Sequence, residues 1–128
     1  MLKLLQYLWA FPTTLPGLIV VSLAITGGGR VQVVDGVLEA RGPYIAWLLG
    51  RMPLVRGAAA LTLGHVVLAV DQAALESTRA HERIHVAQCE RWGPLFIPAY
   101  LISSLNAALR GRDPYYDNPF EREAFLKS

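Results

Sequence analysis

The chain has 128 residues, enough for one domain, with 53% hydrophobic residues, a mean hydropathy of +0.34 and a net charge of only +2. So apolar a composition in so small a protein points to a membrane contribution, and the lack of any basic run argues against nucleic acid as a partner. A single cysteine, Cys89, excludes an internal disulfide framework.

Between Lys3 and Arg30 lie 26 uncharged residues. A helix needs about 20 apolar residues to cross a bilayer, and Leu4 to Thr26 meets that length. Tyr7 and Trp9 stand near one end, where amphipathic rings favour the headgroup level. Pro12 and Pro16 each remove a helical hydrogen bond. They either kink one span or divide the stretch into an interfacial helix, Met1 to Phe11, and a short apolar helix, Pro16 to Ile25. No small-x-small cleavage site precedes the glycines at 27–29, so residues 1–29 read as a retained membrane-associated segment rather than a secretory signal.

Residues 31–40 read as a hairpin, with "VQVV" and "VLEA" flanking Asp35-Gly36, a pair suited to a type I′ turn. "PYIAWLLGRMP" (43–53) is apolar and bounded by prolines, and reads as a short helix. "AALTLGHVVLAV" (59–70), rich in β-branched residues and leucine, reads as a strand. From Gln72 to Trp92 the pattern is helical, ended by Gly93-Pro94. "PLFIPAYLISSLNAAL" (94–109) is uncharged but short for a full crossing, so it reads as a core helix or one dipping into the membrane. "RGRDPYYDN" is a turn-rich connector. Asn118 then caps a last helix, "PFEREAFLK", with Pro119 at its first position.

Two of the three histidines fall in "HERIH" (81–85). On a helix, His81 and His85 project from one face, a spacing that suits two ligands of a tetrahedral zinc. Glu82 lies about 100° around the helix from His81, where it can stand beside the metal as base for a zinc-bound water. A third protein ligand is required, and the last helix offers Glu121 and Glu123. An antiparallel return of the chain after residue 109 would bring that helix against the HERIH helix.

Each element also has a plainer reading. His81, Glu82 and His85 can form a solvated helix face. Glu121 can complete a capping box with Asn118. Glu123 can pair with Lys127 at i,i+4. His65 reads as a satisfied core or edge residue, and Cys89, four beyond His85, as a small buried hydrophobe or a spare soft ligand. Tyr115 and Tyr116 are packing residues or donors to a developing oxyanion.

"HERIH" matches HExxH, and "FEREAF" resembles the glutamate-bearing helix of gluzincin metallopeptidases, in which a Glu is followed three residues later by a small residue. The resemblance implies Glu121 as third ligand, Ala124 at the small position and Glu123 as the fallback. The wider frame, from "LTLGHVVLAVD" to "DNPFEREAF", also resembles short bacterial membrane proteins that carry an HExxH core. In gluzincins a strand before the active-site helix often lines the substrate cleft, and "ALTLGHVVLA" occupies that place.

The expectation is therefore an α+β protein: an N-terminal membrane helix, a small antiparallel sheet (hairpin 31–40 plus strand 59–70), and a minimal zincin-like domain over residues 30–128. The expected function is a zinc metallopeptidase anchored in the bacterial inner membrane, acting on peptide or protein substrates and touching membrane lipid. His81, His85 and Glu121 would hold Zn2+, with Glu82 catalytic. The alternative is a non-catalytic membrane scaffold or complex subunit in which the HExxH region is structural. A further alternative is an apolar interaction module with no metal.

Overall fold

The computed structural model of the chain describes residues 2–51 and 59–128. Helix α1 runs unbroken from Leu2 to Thr26, with Pro12 and Pro16 inside it. The two prolines neither split the helix nor end it. Ala10, Thr13, Thr14, Gly17, Val21 and Ala24 recur at three- and four-residue spacing and are all buried, so one stripe of α1 faces the protein. At Gly17 a Cβ would meet the Val66 side chain at 2.8 Å, so only glycine permits this approach of helix to sheet.

Strands β1 (Arg30–Val34) and β2 (Val37–Arg41) form the expected hairpin, and Asp35 and Gly36 take φ of 51° and 78° as a type I′ turn requires. Helix α2 spans Pro43–Leu49, and its buried Ile45 and Leu49 join Val21 and Ala24 of α1 in one core cluster. The expected helix over 43–53 thus ends early, and Met52 and Pro53 lie outside the described residues.

The segment read as one strand over 59–70 is instead a tight hairpin. Strands β3 (Ala60–Leu63) and β4 (Val66–Ala69) are joined by Gly64-His65, with Gly64 at φ 63°. The chain reverses because Gly64 adopts a left-handed conformation against Thr14 of α1, where a side chain would collide. Thr14 Oγ1 then accepts the His65 backbone N–H at 3.1 Å. The sheet order is β1-β2-β4-β3, and β2 and β4 run parallel. The sheet is therefore mixed rather than antiparallel. The two hairpins meet side by side through β2 and β4, with α2 packed against β4. Strand β4 is buried at all four positions because it is central in the sheet and covered on both faces.

Helix α3 spans Gln72–Trp92, capped by Asp71, whose side chain accepts from the Ala74 N–H at 2.8 Å. A 3₁₀ turn, Gly93–Leu95, leads into α4 (Phe96–Leu109), and α5 spans Pro119–Lys127. Helix α5 packs against α3, the return that the sequence pattern implied. The architecture is α+β, with α1 and α3 both packed against the small mixed sheet.

Candidate metal centre

The HERIH motif falls in the middle of α3. His85 is buried and His81 nearly so, and their rings lie 5.0 Å apart edge to face. Glu121 comes from the first turn of α5. Its Oε1 accepts from His81 Nε2 and from His85 Nε2, each at 2.9 Å. The capping-box reading of Glu121 fails, because the Asn118 N–H bonds to Tyr115 O and the Glu121 carboxylate turns inward. Glu123 faces away from the histidines, holding Gln88 at 2.7 Å and Lys127 at 3.1 Å.

One ligand atom from each of His81, His85 and Glu121 lies within 4.8 Å of the others. Two imidazole nitrogens and one carboxylate oxygen form a donor set suited to Zn2+. A tetrahedral site with bonds of ~2.0 Å separates its ligand atoms by about 3.3 Å. The two 2.9 Å contacts need only a few tenths of an ångström of opening to reach that spacing. Neither His65 nor Cys89 joins the group. His65 sits in the β3–β4 turn, bonded through Nε2 to Glu90 at 2.8 Å and packed at a tilt against the Tyr7 ring. Cys89 is fully buried against Ala10 and Phe96, and burial pushes its thiol up to about 12.

Glu82 stands beside the cluster. Its Oε2 is 4.0 Å from His81 Nε2, and its Oε1 accepts from Thr62 Oγ1 of β3 at 2.8 Å. Burial raises the Glu82 pKa, tempered by the charge of His85 and the Thr62 hydrogen bond. A carboxylate raised towards neutrality is a better proton acceptor than a solvated one. Glu121 shows the opposite balance. Burial alone would raise it, but hydrogen bonds from His81, His85 and Tyr100 outweigh that and hold it to about 2.

Two residues outside the expected ligand set position the cluster: Gln88, which no motif announces, and Asn118, expected only as a helix cap. Gln88, fully buried, accepts from His85 Nδ1 at 2.8 Å and donates to Phe120 O at 3.0 Å. Because the Gln88 oxygen only accepts, His85 carries a proton on Nδ1 and presents Nε2 towards Glu121. Asn118, also fully buried, caps α5 at the Phe120 N–H and donates to Ser104 Oγ at 2.8 Å and Tyr100 O at 3.1 Å. That double hold on α4 sets where Glu121 begins. A polar residue one turn beyond the second histidine of HExxH was the available signal for Gln88.

The cluster opens into a cleft of about 460 Å³. Leu61 and Leu63 of β3 line it on one side, with Ile97, Tyr100 and Leu101 of α4 and Phe125 of α5 elsewhere in the wall. Tyr115 also lines it, whereas Tyr116 is exposed outside. Among the described residues β3 pairs only with β4, which leaves its outer edge without a strand partner there.

A second buried charge cluster holds the sheet to α3. Glu39 of β2, 1% exposed, accepts from Arg79 at 2.9 and 3.0 Å and from Arg83 at 2.8 Å. Gln32 Nε2 also donates to Glu39 Oε1 at 2.9 Å, so both carboxylate oxygens are taken up in holding the sheet to α3.

Compared with known proteins, the chain matches no family model, no curated protein and no solved structure.

Proposed function

We propose that the protein is a small membrane-associated zinc metallopeptidase, a reading carried by the convergence of His81, His85 and Glu121 beside Glu82 at the wall of an apolar cleft. His81 Nε2, His85 Nε2 and a Glu121 oxygen would hold the ion. A bound zinc would supply Lewis acidity towards a substrate carbonyl. Glu82 takes the proton of the attacking water and returns it to the leaving amine. Thr62 keeps Glu82 oriented, and Gln88 keeps His85 in the tautomer that leaves Nε2 free. An extended peptide would pair with the outer edge of β3 and set apolar side chains against Leu61, Leu63 and Leu101.

The test is zinc content and turnover of the full-length protein beside Glu82→Gln. The variant is expected to bind one zinc per chain and to lose about 10²-fold or more in kcat on a peptide cleaved by the wild type. Undiminished turnover in a zinc-loaded Glu82→Gln protein would overturn the mechanism.

One observation favours a non-catalytic reading. Every polar atom of His85 and Glu121 has a protein partner without an ion: Gln88 and Glu121 for the ring, His81, His85 and Tyr100 for the carboxylate. On that reading the cluster pins α5 to α3 in a membrane scaffold. Full folding with no bound zinc in protein never exposed to chelator would favour it.

A further inference from the structure

Helix α1 is long and apolar enough to cross a membrane, yet it is fastened to the folded domain along its length. Tyr7 OH donates to Gly36 O at 2.6 Å, Trp9 Nε1 to Arg91 O at 3.1 Å and Thr13 Oγ1 to Gly93 O at 2.9 Å. Further on, Gly17 meets β4, and Val21 and Ala24 join Ile45 and Leu49. If α1 stood along the bilayer normal, the sheet beside it would lie at hydrocarbon depth. Among the described residues that sheet ends at β1 and β3 with no further strand beyond either, and the Glu39–Arg79–Arg83 cluster sits on it. Lipid satisfies neither open strand edges nor charges.

The outward stripe of α1 is nevertheless apolar. Leu4, Leu8, Phe11, Leu15, Ile19 and Leu23 recur at three- and four-residue spacing and are 44–62% exposed. Helix α4 has the same asymmetry. Phe96, Ser104 and Ala107 face inward, while Ile102, Leu105 and Leu109 are 56–78% exposed. The two helices meet where Phe96 and Ile97 pack with Ala10. All three tryptophans, Trp9, Trp47 and Trp92, are 40–51% exposed, although Trp is usually well covered in a soluble fold.

Charge follows the same pattern. Residues 1–34 contain Lys3 and Arg30 and no acid, and residues 91–112 contain Arg91, Arg110 and Arg112 and no acid. Lys3 pairs with Glu90 at 3.5 Å and Arg91 with Glu123 at 3.7 Å, and both cations stay exposed. Apolar faces bordered by cations, with Trp9 and Trp92 where α1 meets the turn before α4, match an anionic lipid surface, with rings at headgroup level and aliphatic side chains below.

We infer that the protein is monotopic: α1 lies in the plane of an anionic bilayer surface, and the outward faces of α1 and α4 together form the seat. Neither helix crosses. The seat stands on packing and charge and is independent of zinc or catalysis.

The test uses full-length protein in vesicles of phosphatidylcholine and phosphatidylglycerol, spin-labelled singly at Leu5→Cys, Leu15→Cys, Leu23→Cys and Ile102→Cys. Cys89 stays in place, since it is fully buried. Depth is read from collision with oxygen against a water-soluble nickel chelate. All four labels are expected at one shallow depth, about 5–10 Å below the headgroups. Leu5 and Leu23 are about 27 Å apart along the helix. A spanning α1 would therefore put them near opposite surfaces with Leu15 near the centre, and that result overturns the inference. Labels that never contact lipid overturn it too, as does burial of the labels in a second copy of the chain without vesicles. A second arm uses Ile102→Glu with Leu105→Glu, outside the cleft. The vesicle partition coefficient is expected to fall about tenfold or more while the circular dichroism spectrum is unchanged. An unchanged coefficient in the folded variant would show that α4 takes no part and would sink the two-helix seat.

Discussion

Replacing Gln88 separates the proposed metal centre from a merely structural cluster. Gln88 is fully buried, and its side chain makes three hydrogen bonds: to His85 Nδ1, to Phe120 O and to Glu123 Oε1. Gln88→Leu leaves the His85 N–H without a partner in a dry interior and takes the second donor from Phe120 O, which keeps its place in the α5 helix. At about 1–3 kcal/mol for the stranded His85 group, and about 1 kcal/mol or less each for Phe120 O and Glu123, the folded protein should lose about 2–4 kcal/mol. Zinc affinity should fall about 10–100-fold, because the ring of His85 is no longer held in its tautomer and orientation. Gln88→Glu divides the two effects. Its carboxylate still accepts from His85 Nδ1, so zinc affinity should stay within a few-fold of wild type. It has no donor for Phe120 O and faces Glu123, so the stability loss should persist. The assays are denaturant unfolding and zinc titration against a competing chromophoric chelator. Zinc affinity unchanged in folded Gln88→Leu, or lost equally in both variants, would refute the role given to Gln88.

Zinc binding should release at least one proton. Burial favours neutral His85, but the hydrogen bond and charge of Glu121 outweigh it and raise its pKa above 6.5. Zinc must displace the Nε2 proton, so below that raised value affinity should rise about tenfold per pH unit, read by calorimetry in buffers of different ionisation enthalpy. Without zinc, the stabilisation from His85 is fully present below pH 6.5 and is lost as pH rises through its folded value. Arg79 and Arg83 hold the Glu39 pKa below 4.5 against its burial. The stabilisation from Glu39 is therefore present above pH 4.5 and is lost as pH falls through the depressed value. Glu39→Gln should cost about 2–4 kcal/mol at pH 7 and flatten acid unfolding, and an unchanged acid midpoint would contradict it. Gly64→Ala should destabilise by about 2 kcal/mol or more, since its φ is 63° and a Cβ there would strike Thr14. A thermal midpoint within a degree of wild type would contradict that packing.

Local chemistry alone settled several elements. Asp35-Gly36 dictates a type I′ turn because few other pairs accept positive φ twice, and the hairpin over 31–40 formed as read. Asp71, Gly93, Asn118 and Pro119 bound their helices through groups within a few residues, so α3 and α5 were legible. The face shared by His81 and His85 follows from helical periodicity alone.

Other features depend on partners distant in sequence, and only the tertiary structure decided them. The run 59–70 is uniformly apolar, so its pattern cannot announce a reversal. The turn at Gly64 exists because α1 presses Thr14 against it from 50 residues earlier. The parallel pairing of β2 with β4 likewise joins strands more than 20 residues apart, which no local pattern announces. Glu121 and Glu123 were equal candidates by spacing. Asn118 resolves them by locking the start of α5 to Ser104, which turns Glu121 inward to the histidines and leaves Glu123 to Gln88 and Lys127. Hydropathy registered α1 as apolar throughout. Only packing divides it into a buried stripe of small residues and an outward stripe of large ones, because burial depends on what lies opposite a side chain as well as on the side chain itself.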